Sequence, residues 1–293
     1  MPADAGLTSR GLDLYPAALH PAPARAFRLD DMEYGRVQMV QGKLRVLVTN
    51  DDGIQAPALR ILAEEASRRL GAVSVVAPDR EQSGVSHALT IRHPLRVSQV
   101  REGWYAVEGT PTDCVNLAFF HLMDRPPDLV LSGINAGYNL GDDVTYSGTV
   151  AGAMEARILG VPGLAVSSPA DAGQEQFALA ARVACELARR LLEGDLPEDA
   201  FLNINVPPNP KGYRIARQGR RVDREGLITR KDPKGRAYFW VGLAPSKWCG
   251  DPEADHAAVE DGWISVTPLH ADLTSRQALN RLETWGLEQE RPR

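Results

Sequence analysis

The run Val46-Leu47-Val48-Thr49, followed at once by Asn50-Asp51-Asp52-Gly53, constrains this chain more than any other stretch. A short, continuous, β-branched run reads as a parallel strand buried on both faces, which requires helices on either side of a sheet. Ligands of open α/β sheets sit just beyond the carboxyl ends of the strands. Two carboxylates and an amide placed there mark a candidate active site. Side chains alternate along a strand, so Asp51 and Asp52 converge on one ligand only where the chain has left extended geometry, and Gly53 makes that turn accessible.

The same grammar repeats. Pro57 fits a helix first turn, with Leu59, Leu62, Ala63, Ala66 and Leu70 on one face and Gly71 as its stop. A strand at 73–76 leads into the polar loop Ala77 to Gly84. Strand-like pieces at 88–91, 95–100 and 104–107 suggest a small antiparallel insertion. Thr110-Pro111-Thr112-Asp113 supplies an N-cap, a first-turn proline and an N3 acid for a helix running to about Met123. A strand at 128–131 is followed by a loop from Ser132 to Tyr146 that is long for a compact α/β unit, the kind usually kept for function. Ser147-Gly148-Thr149 then opens a helix that closes at Gly160. A strand at 163–166, a helix at 174–192 and a strand at 201–206 complete an α/β body over residues 43–210. From 211 to 293, strands at 213–216, 237–243 and 263–267 and a helix at 275–285 carry too few apolar residues for an independent core. They read as an arm that packs on the body or exchanges with a second subunit.

Residues 1–42, proline-punctuated and without period, read as a disordered N-terminal extension, with Met32 and Met39 as possible true starts. The net charge of −5 argues against nucleic-acid or anionic-membrane partners, and no window is apolar enough to span a bilayer. The basic positions Arg217, Arg220, Arg221, Arg224, Arg230 and Lys231 lack interleaved aromatics and read as a solvated face. Cys114, Cys185 and Cys249 have no metal spacing and read as reduced packing residues of a cytosolic, cytoplasmic protein.

The chemistry sits in three strand-end loops. Asp51, Asp52, Ser83 and Asn135, with Asn50 adjoining, form an oxygen-only donor set suited to one magnesium or manganese ion and poorly suited to zinc or calcium. The first turn at Ser147, Gly148 and Thr149 offers backbone N–H groups and hydroxyls to a phosphate. A phosphoryl group held between the two would meet a metal-activated water. Asn139 and His87 are further substrate contacts, His87 also a candidate general acid. Tyr138 and Tyr146 could stack on a base, and Asp142 and Asp143 could meet a ribose or simply solvate the loop. Each motif also has an ordinary use: Asp-Asp-Gly as a turn, Ser147 as an N-cap, Ser83 and Asn135 as loop residues.

At VTNDDGIQAP (48–57), VVAPDREQSGVSHALT (75–90), GTPTDCVNLA (109–118), PDLVLSGINAGYNLGDDVTYSGTVAGAME (127–155), FLNINVP (201–207) and WISVTPLHADLT (263–274) the chain resembles the SurE family of 5′/3′-nucleotidases. The resemblance implies a Rossmann-like, mostly parallel sheet with helices on both faces and hydrolysis of nucleoside monophosphates. It puts the metal on Asp51, Asp52, Ser83 and Asn135, and phosphate contacts around Ser147, Gly148 and Thr149. It also implies a C-terminal arm exchanged in homodimers that pair into homotetramers. Two features depart from the pattern: residues 1–42 have no counterpart, and Ala254-Asp255-His256 replaces a Thr-Asp, which bears on Asp255 alone. Three rival readings remain at this level: a broad acid phosphatase or short-chain polyphosphatase, a metal- and nucleotide-binding sensor without turnover, and a phosphatase with a covalent aspartate. The last requires Asp-x-Asp where this chain has Asp-Asp-Gly.

Overall fold

A computed structural model describes residues 44–194, 196–223, 228–241 and 247–285. The expected extension at 1–42, Met32 and Met39 among it, lies outside the described residues, as do Arg224 and the end of the strand expected at 237–243. A nine-stranded sheet organises the rest. Its strands are β1 (Leu44–Thr49), β2 (Gly71–Pro78), β3 (Val97–Arg101), β4 (Trp104–Val107), β5 (Leu129–Ala136), β6 (Gly163–Ser168), β7 (Ala200–Asn205) and β8 (Tyr213–Ile215), with the late strand Ile264–His270 between β7 and β8. Two short antiparallel pairs stand apart from it. One joins β9 (Arg221–Asp223) to β12 (Lys247–Trp248), the other β10 (Ile228–Lys231) to β11 (Ala237–Trp240), so the late sheet strand is β13.

Strand order is β3-β4-β2-β1-β5-β6-β7-β13-β8. β4, β2, β1, β5, β6 and β7 run parallel, and β3 and β13 pair antiparallel with their neighbours β4 and β7. Because β2 lies on one side of β1 and β5 on the other, the order reverses between β1 and β5. That reversal is where open α/β sheets form their crevice.

Helices α1 (Pro57–Arg69) and α4 (Gln174–Glu193) cover one face, α2 (Pro111–Leu117) and α3 (Gly148–Ile158) the other. Val46 and Val48 join the cluster under α1 and α4 with Leu59, Leu62, Leu131 and Ile204, while Leu47, between them and equally buried, faces the other way. The continuous apolar run is thereby explained: both faces of β1 are covered. Two shorter helices follow, α5 (Asp255–Glu260) and α6 (Arg276–Glu283).

Three local expectations change. Gly71 opens β2 rather than stopping α1, whose C-cap is Leu70. Residues 88–91 form no strand, because side chains bind their backbone instead: Thr110 Oγ1 donates to Ala88 C=O at 2.7 Å, and Thr90 N–H donates to Asp113 at 3.0 Å. β5 continues through Ala136, so Ser132 to Asn135 belong to a strand, interrupted by a bulge between Gly133 and Asn135. Strands β8 and β13, both beyond residue 210, lie in the main sheet, so this part of the expected arm packs on the body.

The expected cap at Thr110 is present in full. Its side chain accepts from Asp113 N–H at 3.1 Å, and Asp113 accepts from Thr110 N–H at 2.8 Å. Thr110→Ala removes that cap and the tie to Ala88, and is expected to cost about 1–2 kcal/mol in denaturant unfolding. Thr110→Ser should recover most of the loss.

Candidate active site

Asp51 is 4% exposed and lies against the amino end of α3. Thr149 N–H donates to its Oδ2 at 3.0 Å, the Thr149 hydroxyl donates to Oδ1, and Gly148 N–H also contributes. A Cβ on Gly148 would lie 2.8 Å from Asp51 Cβ, so the approach needs a glycine. The next donor, Val150 N–H, goes to the Ser147 side chain at 3.1 Å. The anion resting on this helix end is thus the protein's own carboxylate. Gly148 and Thr149, expected to contact phosphate, instead hold Asp51, because the first-turn donors that a phosphate would use are already spent. Ser147 accepts from Val150 and keeps its hydroxyl hydrogen for another partner.

Gly53, at φ +94°, turns the chain away from extended geometry directly after the two acids. Asn50 secures the turn by donating to Gly53 C=O at 3.1 Å, and its buried Oδ1 has no partner among the described residues. The loop after β2 is tied on: Ile54 N–H donates to Pro78 C=O at 2.8 Å, and Gln82 N–H to Asp51 C=O at 2.7 Å. Asp52 accepts a backbone bond from Ala136 at the end of β5 and feels the charges of Asp51 and Glu81. Asn135, one residue earlier, donates from Nδ2 to Gly137 C=O at 2.8 Å, which leaves its oxygen for a ligand. Ser83 is exposed, and its hydroxyl donates to Glu81 at 2.8 Å. β1, β2 and β5 therefore deliver their loops to one region. Glu81, beside both Ser83 and Asp52, is the neighbour that no local motif singles out.

Other expected contacts have other duties. Asn139 is buried: its N–H donates to Asn205, its Nδ2 donates to Ser167, and its C=O accepts from Asn203 and Asn205. It fixes the loop from within rather than facing a cleft. Asp142 accepts from Arg221 N–H at 3.0 Å, and Asp143 pairs with the Arg221 guanidinium, so both tie the loop to β9. Arg221 is paired and largely covered, whereas Arg217, 2.9 Å from Asp251, is paired but exposed, as are Arg220, Arg230 and Lys231, in keeping with the solvated face expected of them. Asp255, fully buried, accepts from Gly141 and Gly219 N–H at 2.8 and 3.0 Å, so its duty within this chain is to clamp that loop. His87 bonds Glu155 of α3 at 2.6 Å. Cys249 is exposed, unlike the buried Cys114 and Cys185, and is not a packing residue.

Among the described residues no Lys, Arg or His pairs with Asp51 or Asp52, and no cluster of three His, Cys, Asp or Glu side chains is gathered. Burial pushes the Asp51 carboxyl above the usual carboxylate value, against the bonds from Thr149 and Gly148. Burial, and then the adjacent Asp51 charge, push Asp52 up to about 6. Two acids in a shared site without a compensating cation, flanked by neutral oxygens, form a donor set that fits a hard divalent cation.

A Rossmann-like α/β protein with a carboxylate pair at its topological switch point is the class that fold and geometry define. The chain belongs to the SurE family: the model described as "Survival protein SurE" matches residues 46–225. The protein named 5′-nucleotidase SurE of Geobacter sulfurreducens is 49% identical over 253 residues, 85% of this chain and 96% of that one. Its namesake in Geobacter metallireducens is 49% identical over 247 residues, 83% and 97% of the two chains. The crystal structure of the SurE protein from Aquifex aeolicus superimposes with a TM-score of 0.71 at 42% identity, covering 83% of this chain and 99% of that one.

The raised Asp52 carboxyl makes a testable link to stability. In the metal-free protein the fold retains a proton that the unfolded chain releases near its ordinary value of 3.8. The cost of ionising the pair is therefore absent at lower pH, builds between 3.8 and about 6, and persists above. Asp52→Asn removes that cost. With chelator present, its Tm is expected to exceed that of the parent at neutral pH and to match it once the pH falls below the ordinary carboxylate range.

Proposed function

We propose that this chain is a divalent-metal-dependent nucleotidase, hydrolysing nucleoside 5′-monophosphates, and 3′-monophosphates with them, to nucleoside and phosphate. The observation that carries the reading is the convergence of Asp51, Asp52 and the Asn135 loop at the switch point, with two acids and no counter-charge among the described residues. The names carried by the 49%-identical relatives support the reaction class.

Asp51 and Asp52 are the principal ligands, Ser83 and Asn135 the neutral ones, and magnesium or manganese the ion. When bound, such a cation neutralises phosphoryl charge and makes a water more acidic. The protein's own contribution is positional. Thr149 and the N-terminal dipole of α3 fix Asp51 in one orientation, so the ligand geometry is set before substrate arrives. Ser147, with its hydroxyl hydrogen uncommitted, is the phosphate donor of the first turn. It lines a cavity of about 100 Å³ with His87, Met154, Phe201 and His270, which gives the ester beyond the phosphate an apolar wall.

The setting is cytosolic and the unit a homodimer or homotetramer built through the C-terminal elements. Tyr238, Phe239 and Trp240 of β11 stand exposed, and α6 buries none of its residues although it carries Leu279 and Leu282. Such apolar surfaces call for a second copy. No helix among the described residues is long and apolar enough to cross a membrane.

Phosphate release from a nucleoside 5′-monophosphate with manganese tests the reading. Asp51→Asn and Asp52→Asn are each expected to lower kcat by at least about a hundredfold with the circular dichroism spectrum intact. Chelation should abolish turnover reversibly. Full activity in either variant would refute the assignment.

A further inference from the structure

In the proposed reaction a departing alkoxide must gain a proton, and the loop after β2 holds an imidazole in place beside the cavity that Ser147 lines. Four tethers fix that loop. Ser86, at φ +59°, donates from its N–H to Tyr146 C=O at 3.0 Å and from its hydroxyl to Thr145 C=O at 2.6 Å. Ala88 and Thr90 are held by Thr110 and Asp113 of the α2 cap. His87, between them, meets Glu155 through Nε2 at 2.6 Å.

Glu155 is not a surface partner. Its side chain is 8% exposed against 31% for His87, and its other oxygen accepts from Asn116 Nδ2 at 2.6 Å. Asn116 in turn donates to Thr112 C=O at 3.1 Å. Three elements, the β2 loop, α2 and α3, are thus joined through one buried carboxylate. The bond to Glu155 requires the hydrogen on Nε2, so Nδ1 is the ring nitrogen left to meet a ligand, and the ring borders the same cavity as Ser147. Among the described residues Glu155 of α3 bonds the ring, and His270 of β13 lines the same cavity.

We propose that Glu155 is a positioning residue for the proposed phosphomonoesterase reaction, holding His87 by Nε2 so that Nδ1 of its imidazolium gives a proton to the leaving ribose oxygen. Water adds its oxygen to phosphorus and the ester P–O bond breaks, its electron pair passing to the ribose oxygen. The Nδ1 proton goes to that oxygen, and the proton shed by the water returns to solvent, from which the ring is recharged. The inference rests on the nucleotidase reading, but its test separates the two.

The measurement compares two esters in the manganese-loaded full chain: a nucleoside 5′-monophosphate, whose alkoxide must be protonated to leave, and p-nitrophenyl phosphate, whose phenolate leaves unaided. Glu155→Gln, which keeps the volume and an acceptor but not the charge, and His87→Asn are each expected to lower kcat on the nucleotide by about a hundredfold, with KM shifted by less than about threefold. On the aryl ester the same variants should lose no more than about threefold. The double variant should be no slower than His87→Asn alone, since the two act as one unit. Equal losses on both esters, or nucleotide turnover retained in His87→Asn, would overturn the proposal. His87→Asn also decides the matter where the Glu155 variant fails to fold. A parent chain that hydrolyses neither ester would instead defeat the nucleotidase reading itself.

Discussion

The bond between the Asp51 carboxylate and the amino end of α3 is the constraint on which the site depends. It joins the turn after β1 to the first turn of α3 across 98 residues of chain, and it places a charge where the helix dipole is most favourable to it. Burying a carboxylate is costly unless its oxygens are satisfied. Here Thr149, through both backbone and side chain, and Gly148 satisfy them, which fixes Asp51 while Asp52 remains more open beside it. The glycine at 148 follows from that approach, since any side chain there would displace the acid.

A second constraint comes from the far end of the chain. Gly141 is held through its N–H by Asp255 and through its C=O by Gln218, and Trp248 packs against it while stacking on His256. The loop running into Ser147 is therefore positioned by segments more than 70 residues away.

Much of this was legible beforehand for a plain reason. Periodicity and composition report burial, and burial on both faces identifies β1, β2, β5, β6 and β7 as parallel strands without reference to any partner. The Thr110 capping box was legible because all its partners lie within four residues. The strand expected at 88–91 failed because its backbone groups are bound by Thr110 and Asp113, a choice that local β propensity does not register. The end of β5 was hidden by its glycine and its bulge, which look like loop chemistry in one dimension. Glu155 gave no signal, since nothing local distinguishes a helix glutamate that faces solvent from one that meets a histidine 68 residues earlier.

The order of the chain alone determined the buried strands, the acids and amides at their ends, the caps, and the family to which these stretches belong, because each depends on neighbours within a few residues. Only the tertiary structure decided what the α3 donors bind. A helix end selects an anion by proximity and charge, and whether that anion is a ligand or the chain's own Asp51 is settled by how β1 and α3 pack across the sheet.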